Sequence, residues 1–343
     1  MRPTIGSFPF PDETGTTWLA FTDYGPRGDT RTLICVPGLT GHSRQFDALA
    51  TALARDYHVI AFDLAGRGRS GWLADKTGYD LSTYARHVKG LLDYRGLETV
   101  DWLGIGMGGW LGLVLAAEED SPIAHLILND SAPRMAPAGA RRIADYVGAA
   151  PRFRTMNEAG DYLRSVWAPF GDLDDAEWSA LTVHGLIRED IGGYSLHYDP
   201  AIGDQFRAID QDADLWGLYD RVRQPTLLLR GADSDVLTAA TAAAMAARGP
   251  RAEVIEFAGC GHAPALMDAD QIATIHAWMK RFDPDPDAPA ADAAPRPGAW
   301  HGDGCPGGRV SGISGPAALV GRRFANPARL VSRRPRGAAA GGG

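Results

Sequence analysis

The sequence predicts an α/β protein with a mostly parallel, doubly wound sheet. Two observations carry this. Short apolar runs rich in Val, Ile and Leu alternate with helical patterns, and the alternation returns near residue 225 after a long helical interruption. Strands that read as continuous apolar runs are covered on both faces, the condition of a parallel sheet flanked by helices.

The elements follow in order. Arg31–Val36, His58–Phe62, Thr99–Leu103 and Ile123–Asn129 read as buried strands. Phe46–Arg55, Leu81–Tyr94 and Met107–Glu118 read as the helices between them. From Pro133 to Val222 the alternation stops, and the stretch is helical in character and dense in aromatics: Tyr146, Phe153, Tyr162, Trp167, Phe170, Trp178, Tyr194, Tyr198, Phe206, Trp216 and Tyr219. An insertion of this kind after a sheet strand predicts a helical cap over the strand ends. Most of its aromatics are expected to form the cap's own core and a minority to line a pocket. The sheet pattern resumes with a strand at Pro225–Arg230, a helix at Leu237–Arg248, a strand at Glu253–Phe257 and a closing helix at Gln271–Phe282. The expected organisation is therefore a core at 1–132 and 223–282, split by a helical cap at 133–222. Residues 283–343 are rich in Pro, Ala, Gly, Asp and Arg, with little periodic apolar content. Such a segment buries too little surface to offset its ordering entropy, which predicts a disordered, low-complexity tail. Its charge runs from acidic near Asp283 to Arg-rich near Arg336, the pattern of either an electrostatic tether or an incidental extension.

Bulk composition excludes several classes. The 42 Asp and Glu outnumber the 34 Lys and Arg for a net charge of -8, whereas a nucleic-acid partner needs a concentrated basic surface. The three cysteines, Cys35, Cys260 and Cys305, are far apart and form no CxxC pair, so neither a disulfide framework nor a zinc site is indicated. The N-terminus has no apolar h-region, and no apolar run approaches the ~18 residues of a membrane span. The expectation is a soluble, cytoplasmic protein without a membrane partner; its oligomeric state is not legible.

Five loops carry chemistry. Val36-Pro37-Gly38-Leu39-Thr40-Gly41 follows a strand, as does Asp63-Leu64-Ala65-Gly66-Arg67-Gly68-Arg69-Ser70. Gly104-Ile105-Gly106-Met107-Gly108-Gly109 lies between a strand and a helix. Leu229-Arg230-Gly231-Ala232-Asp233-Ser234-Asp235 follows the first strand after the cap, and Phe257-Ala258-Gly259-Cys260-Gly261-His262-Ala263-Pro264 follows the last. Taken singly, they have other readings. The first is also an ordinary Pro-Gly turn. The second is also a phosphate cradle, although its glycines lack dinucleotide or Walker spacing. Gly104, Gly106 and Gly109 fit a dinucleotide fingerprint, yet their strand is the third of the region, and the acids Glu118, Glu119 and Asp120 end a helix instead of a second strand.

Together and in this order, the loops resemble those of the α/β-hydrolase-fold superfamily, in its esterase and enol-lactonase-like group, over about Thr17 to Phe282. The resemblance implies an α/β-hydrolase fold and hydrolysis of a carboxylic ester or lactone, with no metal or organic cofactor. The implied partner is a small apolar ester-like or lactone-like ligand. It also implies site residues at the matching positions. The backbone N–H groups of Leu39 and Met107 would form the oxyanion hole. His262 would be the general base, its tautomer set by a carboxylate. Asp235 is the first choice for that acid and Asp233 the second, although Asp at such sites also serves in turns and caps. Asp130, ending the strand before the cap, is the third, because some relatives place the acid there.

The chain departs from the pattern at one position. The nucleophile elbow reads Gly-x-Ser-x-Gly, and here its centre is Gly106. Glycine reaches the positive-φ backbone of an elbow freely, so the turn survives while the attacking oxygen is lost. Losing the nucleophile of a triad costs on the order of 10⁶ in turnover in a well-studied protease. Cys260, Ser43, Thr40 and Ser131 are the candidate substitutes. Four readings remain: hydrolysis lost, a water in place of the serine oxygen, a ligand-binding relative without turnover, or a single-base change from a serine codon.

Overall fold

The apolar runs become the middle of an eight-stranded sheet. The computed structural model describes residues 2–12, 15–26, 28, 30–208 and 214–284. An N-terminal hairpin of β1 (Thr4–Asp12) and β2 (Gly15–Tyr24) precedes β3 (Thr32–Val36), α1 (Asp47–Leu53) and β4 (His58–Asp63). Next come α2 (Leu81–Arg95), β5 (Val100–Ile105), α3 (Met107–Ala116) and β6 (Ile123–Asn129). The insertion holds α4 (Pro137–Tyr146), β7 (Arg152–Phe153), α5 (Met156–Val166), α6 (Asp175–His184), β8 (Leu186–Arg188), β9 (Tyr194–Leu196), α7 (Ile202–Ala208) and α8 (Trp216–Tyr219). The chain returns to the sheet with β10 (Thr226–Gly231), α9 (Ala239–Ala247), β11 (Glu253–Phe257) and α10 (Ala269–Lys280).

The sheet order is β1-β2-β4-β3-β5-β6-β10-β11. Pairs from β4 through β11 are parallel, and the hairpin joins antiparallel through β2 and β4. This is an α/β-hydrolase fold. The chain moves from β3 outward to β4, then crosses to β5 on the other side of β3. Their C-terminal ends therefore flank a topological switch point, where ligands bind in open α/β sheets. The Gly38–Gly41 loop follows β3 and the turn at Gly106 follows β5, so the fold delivers both to that crevice.

The central strands are continuous apolar runs because both faces are covered: Leu33, Ile34, Ile60, Phe62, Trp102, Leu126, Leu128 and Leu228 are fully buried. Trp102 satisfies its indole by donating to the Gly108 carbonyl at 3.1 Å, which pins α3 onto the sheet. Local signals set the helix starts. The Asp80 carboxylate caps α2 through the Thr83 amide at 2.7 Å, and Asp174 with Glu177 forms a capping box on α6.

Two features differ from expectation. The hairpin was not foreseen, because β1 is largely exposed and carries Pro9 and Pro11, which only an edge strand tolerates. The insertion is not purely helical: β7, β9 and β8 form a small antiparallel sheet whose strands of two or three residues are too short for a readable period. The chain divides into one unit at Met1–Trp278 and another at Met279–Gly343. Apart from residues 283 and 284, the segment expected to be disordered lies outside the described residues.

Candidate active site

The elbow forms where β5 runs into α3. Gly106 has φ 49° and ψ −108°, backbone that L side chains rarely adopt. Its amide donates to the Asn129 carbonyl at 3.1 Å, and its carbonyl receives the amides of Gly109 and Trp110 at 3.0 and 3.1 Å. Gly104 must lack a side chain, since a Cβ there would stand 2.2 Å from the Gly108 carbonyl oxygen. A Cβ on residue 106 would instead meet only the His262 ring, with Cε1 and Nε2 both at 3.4 Å. That is van der Waals distance, so the space admits a side chain and only the backbone angle resists one.

His262 faces this space from the loop after β11. Its Nδ1 lies 2.7 Å from Oδ2 of Asp130. An ionised carboxylate only accepts, so Nδ1 carries the proton and Nε2 is left as an acceptor turned toward Gly106. Asp130 is completely buried and has φ 50°, a strained backbone for a residue with a side chain. Its carboxylate is held on every side. Oδ2 also accepts from the Ser234 hydroxyl at 2.6 Å, and Oδ1 accepts from the Gly231 amide at 3.2 Å. Three donors, from the end of β10, the loop after it and the loop after β11, therefore fix one acid.

The carboxylate beside His262 is thus that of Asp130, and the preference for Asp235 is corrected. Asp235 accepts a two-pronged contact from Arg142 of α4, Nε at 2.7 Å and Nη2 at 2.8 Å. The Arg142 hydrogen bonds hold its carboxyl below the usual carboxylate range. The Asp235 carbonyl also receives the Gly139 amide at 3.1 Å, so this residue joins the insertion to the loop after β10. Asp233 is exposed and its amide donates to the Cys260 carbonyl at 3.0 Å, which braces the two loops against each other. Ser234, between the two rejected acids, is the residue of that loop that reaches the histidine's partner. No motif pointed to it, nor to Arg142.

Leu39 and Met107 both line the cavity, as do Gly106, Asp130 and His262. The Asp63 loop supports them from behind. Its buried carboxylate accepts the Ser43 amide at 2.6 Å and the Arg69 amide at 3.1 Å. Burial raises this carboxyl, and the two amides oppose the shift. A carboxylate at the centre of the loop occupies the place a bound phosphate would need.

Three of the four candidate substitute nucleophiles are engaged elsewhere. The Ser131 hydroxyl donates behind the elbow, toward the carbonyls of Gly106 at 3.0 Å and Asn129 at 3.1 Å. Ser43 Oγ pairs with Thr22 Oγ1 at 3.0 Å. The Cys260 thiol donates to the Phe257 carbonyl at 3.5 Å, and burial pushes it up to about 11, far from a reactive thiolate. Thr40 lines the cavity. Among the described residues, Asp130 is the hydrogen-bond partner of His262. Nor do they include a group of three or more His, Cys, Asp or Glu placed to hold a metal ion.

The insertion supplies the outer wall of the cavity through Tyr146, Trp167, Phe170 and Phe206, with Met135 at its start, and the core adds Trp110. Trp167 and Phe170 stack at 5.4 Å. Trp178, Tyr198 and Tyr219 are buried among other side chains of the fold. No helix among the described residues is long and apolar enough to cross a membrane.

Comparison with known proteins agrees with the fold. A 3-hydroxybutyrate-oligomer hydrolase of Cupriavidus necator is 37% identical over 282 residues, covering 79% of this chain and 96% of that protein. A crystal structure of an alpha/beta hydrolase from Novosphingobium aromaticivorans superposes with a TM-score of 0.74 at 32% identity, covering 81% of this chain and 98% of the other. An enol-lactonase from Burkholderia xenovorans shares the fold, with a TM-score of 0.60 at 20% identity over 78% of this chain and 96% of its own. The family profile described as alpha/beta hydrolase family matches residues 33–275, from β3 to within α10, and the chain belongs to that family.

Proposed function

We propose that the protein hydrolyses small carboxylic esters or lactones by water attack, with His262 as the base and Asp130 as the acid that orients it. The carrying observation is the aim of the pair. Asp130 fixes His262 at 2.7 Å, and Nε2 faces the place where a Cβ on residue 106 would lie, 3.4 Å away. The space released by the missing side chain is where the attacking water stands. Nε2 takes one proton of that water as its oxygen bonds to the substrate carbonyl carbon. The amides of Leu39 and Met107 receive the oxyanion. Collapse breaks the bond to the alcohol oxygen, which takes the proton back from Nε2, leaving acid and alcohol. The insertion acts as a cap, since four of its aromatics wall the cavity.

The substrate class is supported by the Cupriavidus relative, whose name specifies oligomers of 3-hydroxybutyrate. Short ester-linked hydroxy acids suit a cavity walled mainly by apolar side chains. A second reading, ligand binding without turnover, is favoured by the engagement of Ser131, Ser43 and Cys260 away from His262.

Hydrolysis of p-nitrophenyl butyrate and of the linear 3-hydroxybutyrate dimer separates the two. The native chain is expected to turn over slowly, and His262→Ala should abolish that rate. Gly106→Ser should raise it by ~10³-fold or more. A His262→Ala rate equal to the native one overturns water activation. A native rate equal to buffer, with an active Gly106→Ser variant, establishes the second reading.

A further inference from the structure

Among the described residues, one fully buried cation has no carboxylate as a hydrogen-bond or ion-pair partner. Arg67 is 0% exposed. Its partners are carbonyls, a hydroxyl, a ring and a sulfur, with no carboxylate among them. Nε donates to the Leu39 carbonyl at 2.6 Å. Nη1 donates to the Ala65 carbonyl at 2.8 Å and to the Tyr84 hydroxyl at 2.6 Å. The guanidinium lies 4.9 Å from the centre of the Tyr84 ring, and Nη2 stands 3.8 Å from Sδ of Met107. Taking a guanidinium out of water is costly unless its donors are satisfied, and an acid would be the ordinary way to offset that cost. Here neutral acceptors do so, and two of the five contacts fall on the oxyanion pair. Leu39 leaves β3 and Met107 begins α3 after β5, so the pair sits on neighbouring strands. Arg67 touches both from a third strand's loop. It is not part of the cavity wall and does not reach the substrate.

We propose that Arg67 is the positioning residue of the oxyanion site, its planar fork holding the Leu39 carbonyl, one peptide on from the Leu39 amide, and the Met107 side chain at the start of α3 at one spacing. This rests on the reading of Leu39 and Met107 as oxyanion donors. Its positive charge, buried and without a carboxylate partner among the described residues, also favours negative charge at the same end of α3. A lysine has one compact ammonium and does not span these partners, so charge alone does not replace the fork.

Two measurements test it. In the Gly106→Ser chain, adding Arg67→Met should lower kcat for p-nitrophenyl butyrate by ~10–100-fold with KM within about twofold. That is less than the ~10²–10³ of losing an oxyanion donor outright. Arg67→Lys should recover less than tenfold of the loss. An unchanged kcat, or a loss seen in KM alone, overturns the proposal. If Arg67→Met does not fold, Tyr84→Phe removes one contact and should lower kcat by ~3–10-fold; no change there also overturns it. If Gly106→Ser shows no ester turnover, the hydrolase reading fails by itself. Arg67 is then judged by butyrate titration of the native full-length chain, followed at the Leu39 and Met107 amides by NMR. Arg67→Met should weaken butyrate about fivefold or more, and equal affinity overturns the proposal.

Discussion

At the scale of single residues, the two aspartates can be told apart by what surrounds each. Asp130 is buried with three donors on its carboxylate, one of them the histidine. Asp130→Asn keeps the shape but turns an obligate acceptor into a group that can donate, which favours the wrong histidine tautomer. In the Gly106→Ser chain it should lower kcat by ~10⁴, as the same change does in a serine protease. Asp235→Asn should leave kcat within about threefold, because its partner is Arg142 and not His262. Equal losses for the two variants would return Asp235 to the base. Residue 106 also trades stability for chemistry. At φ 49° a side chain is strained, so Gly106→Ser should cost ~1–2 kcal/mol in urea unfolding while it gains activity. A serine variant at least as stable as the parent would show that the elbow relaxes.

At the scale of elements, the legible parts were those whose signal is local. β3 to β6 announce themselves because burial on both faces makes a strand one apolar run. β1 does not, being an exposed edge, and the short strands of the insertion have no room for a period. The same divide runs through the site. The elbow, the Pro37-Gly38 turn and the His262 loop are contiguous strings that can be read locally. The pairing of His262 with its acid spans 132 residues, and three aspartates in strand-end loops carried similar local context. What decides among them is three-dimensional: Ser234 donates to one and Arg142 takes another. The Arg142 pair joins α4 to the loop after β10 in half-exposed surroundings, where screening leaves little net energy. Arg142→Met should therefore cost no more than ~1 kcal/mol in urea unfolding. A loss of several kcal/mol would mean that the insertion depends on this contact for its place.

For the molecule as a whole, the seam between the loop after β3 and the insertion predicts how stability follows pH. His42 sits there, 3% exposed, and packs beside His197. Its Nδ1 accepts the Arg44 amide at 3.3 Å, so the proton of the neutral ring is on Nε2, which has no hydrogen-bond partner among the described residues. Charging the ring would set a second proton against the Arg44 amide and bury a cation near His197, His184 and Arg44. Burial first, and then those neighbours, lower its pKa from the ordinary 6.5 to about 3. The unfolded chain therefore binds a proton that the folded chain refuses between those values. Stability is fully present above about pH 6.5 and is lost as pH falls toward 3. Between pH 7 and pH 5 this one group should remove ~2 kcal/mol, or several °C in Tm for a chain of this size. Asn accepts the same amide bond without titrating, so His42→Asn should flatten the Tm-against-pH curve over that interval by about this amount. The slope, and not the absolute Tm, is the readout, because the variant also changes packing. His87 and His184, both lowered first by burial, keep their share of the slope in either chain. If His42→Asn and its parent lose stability in parallel from pH 7 to pH 5, His42 is not the group that the folded seam keeps neutral.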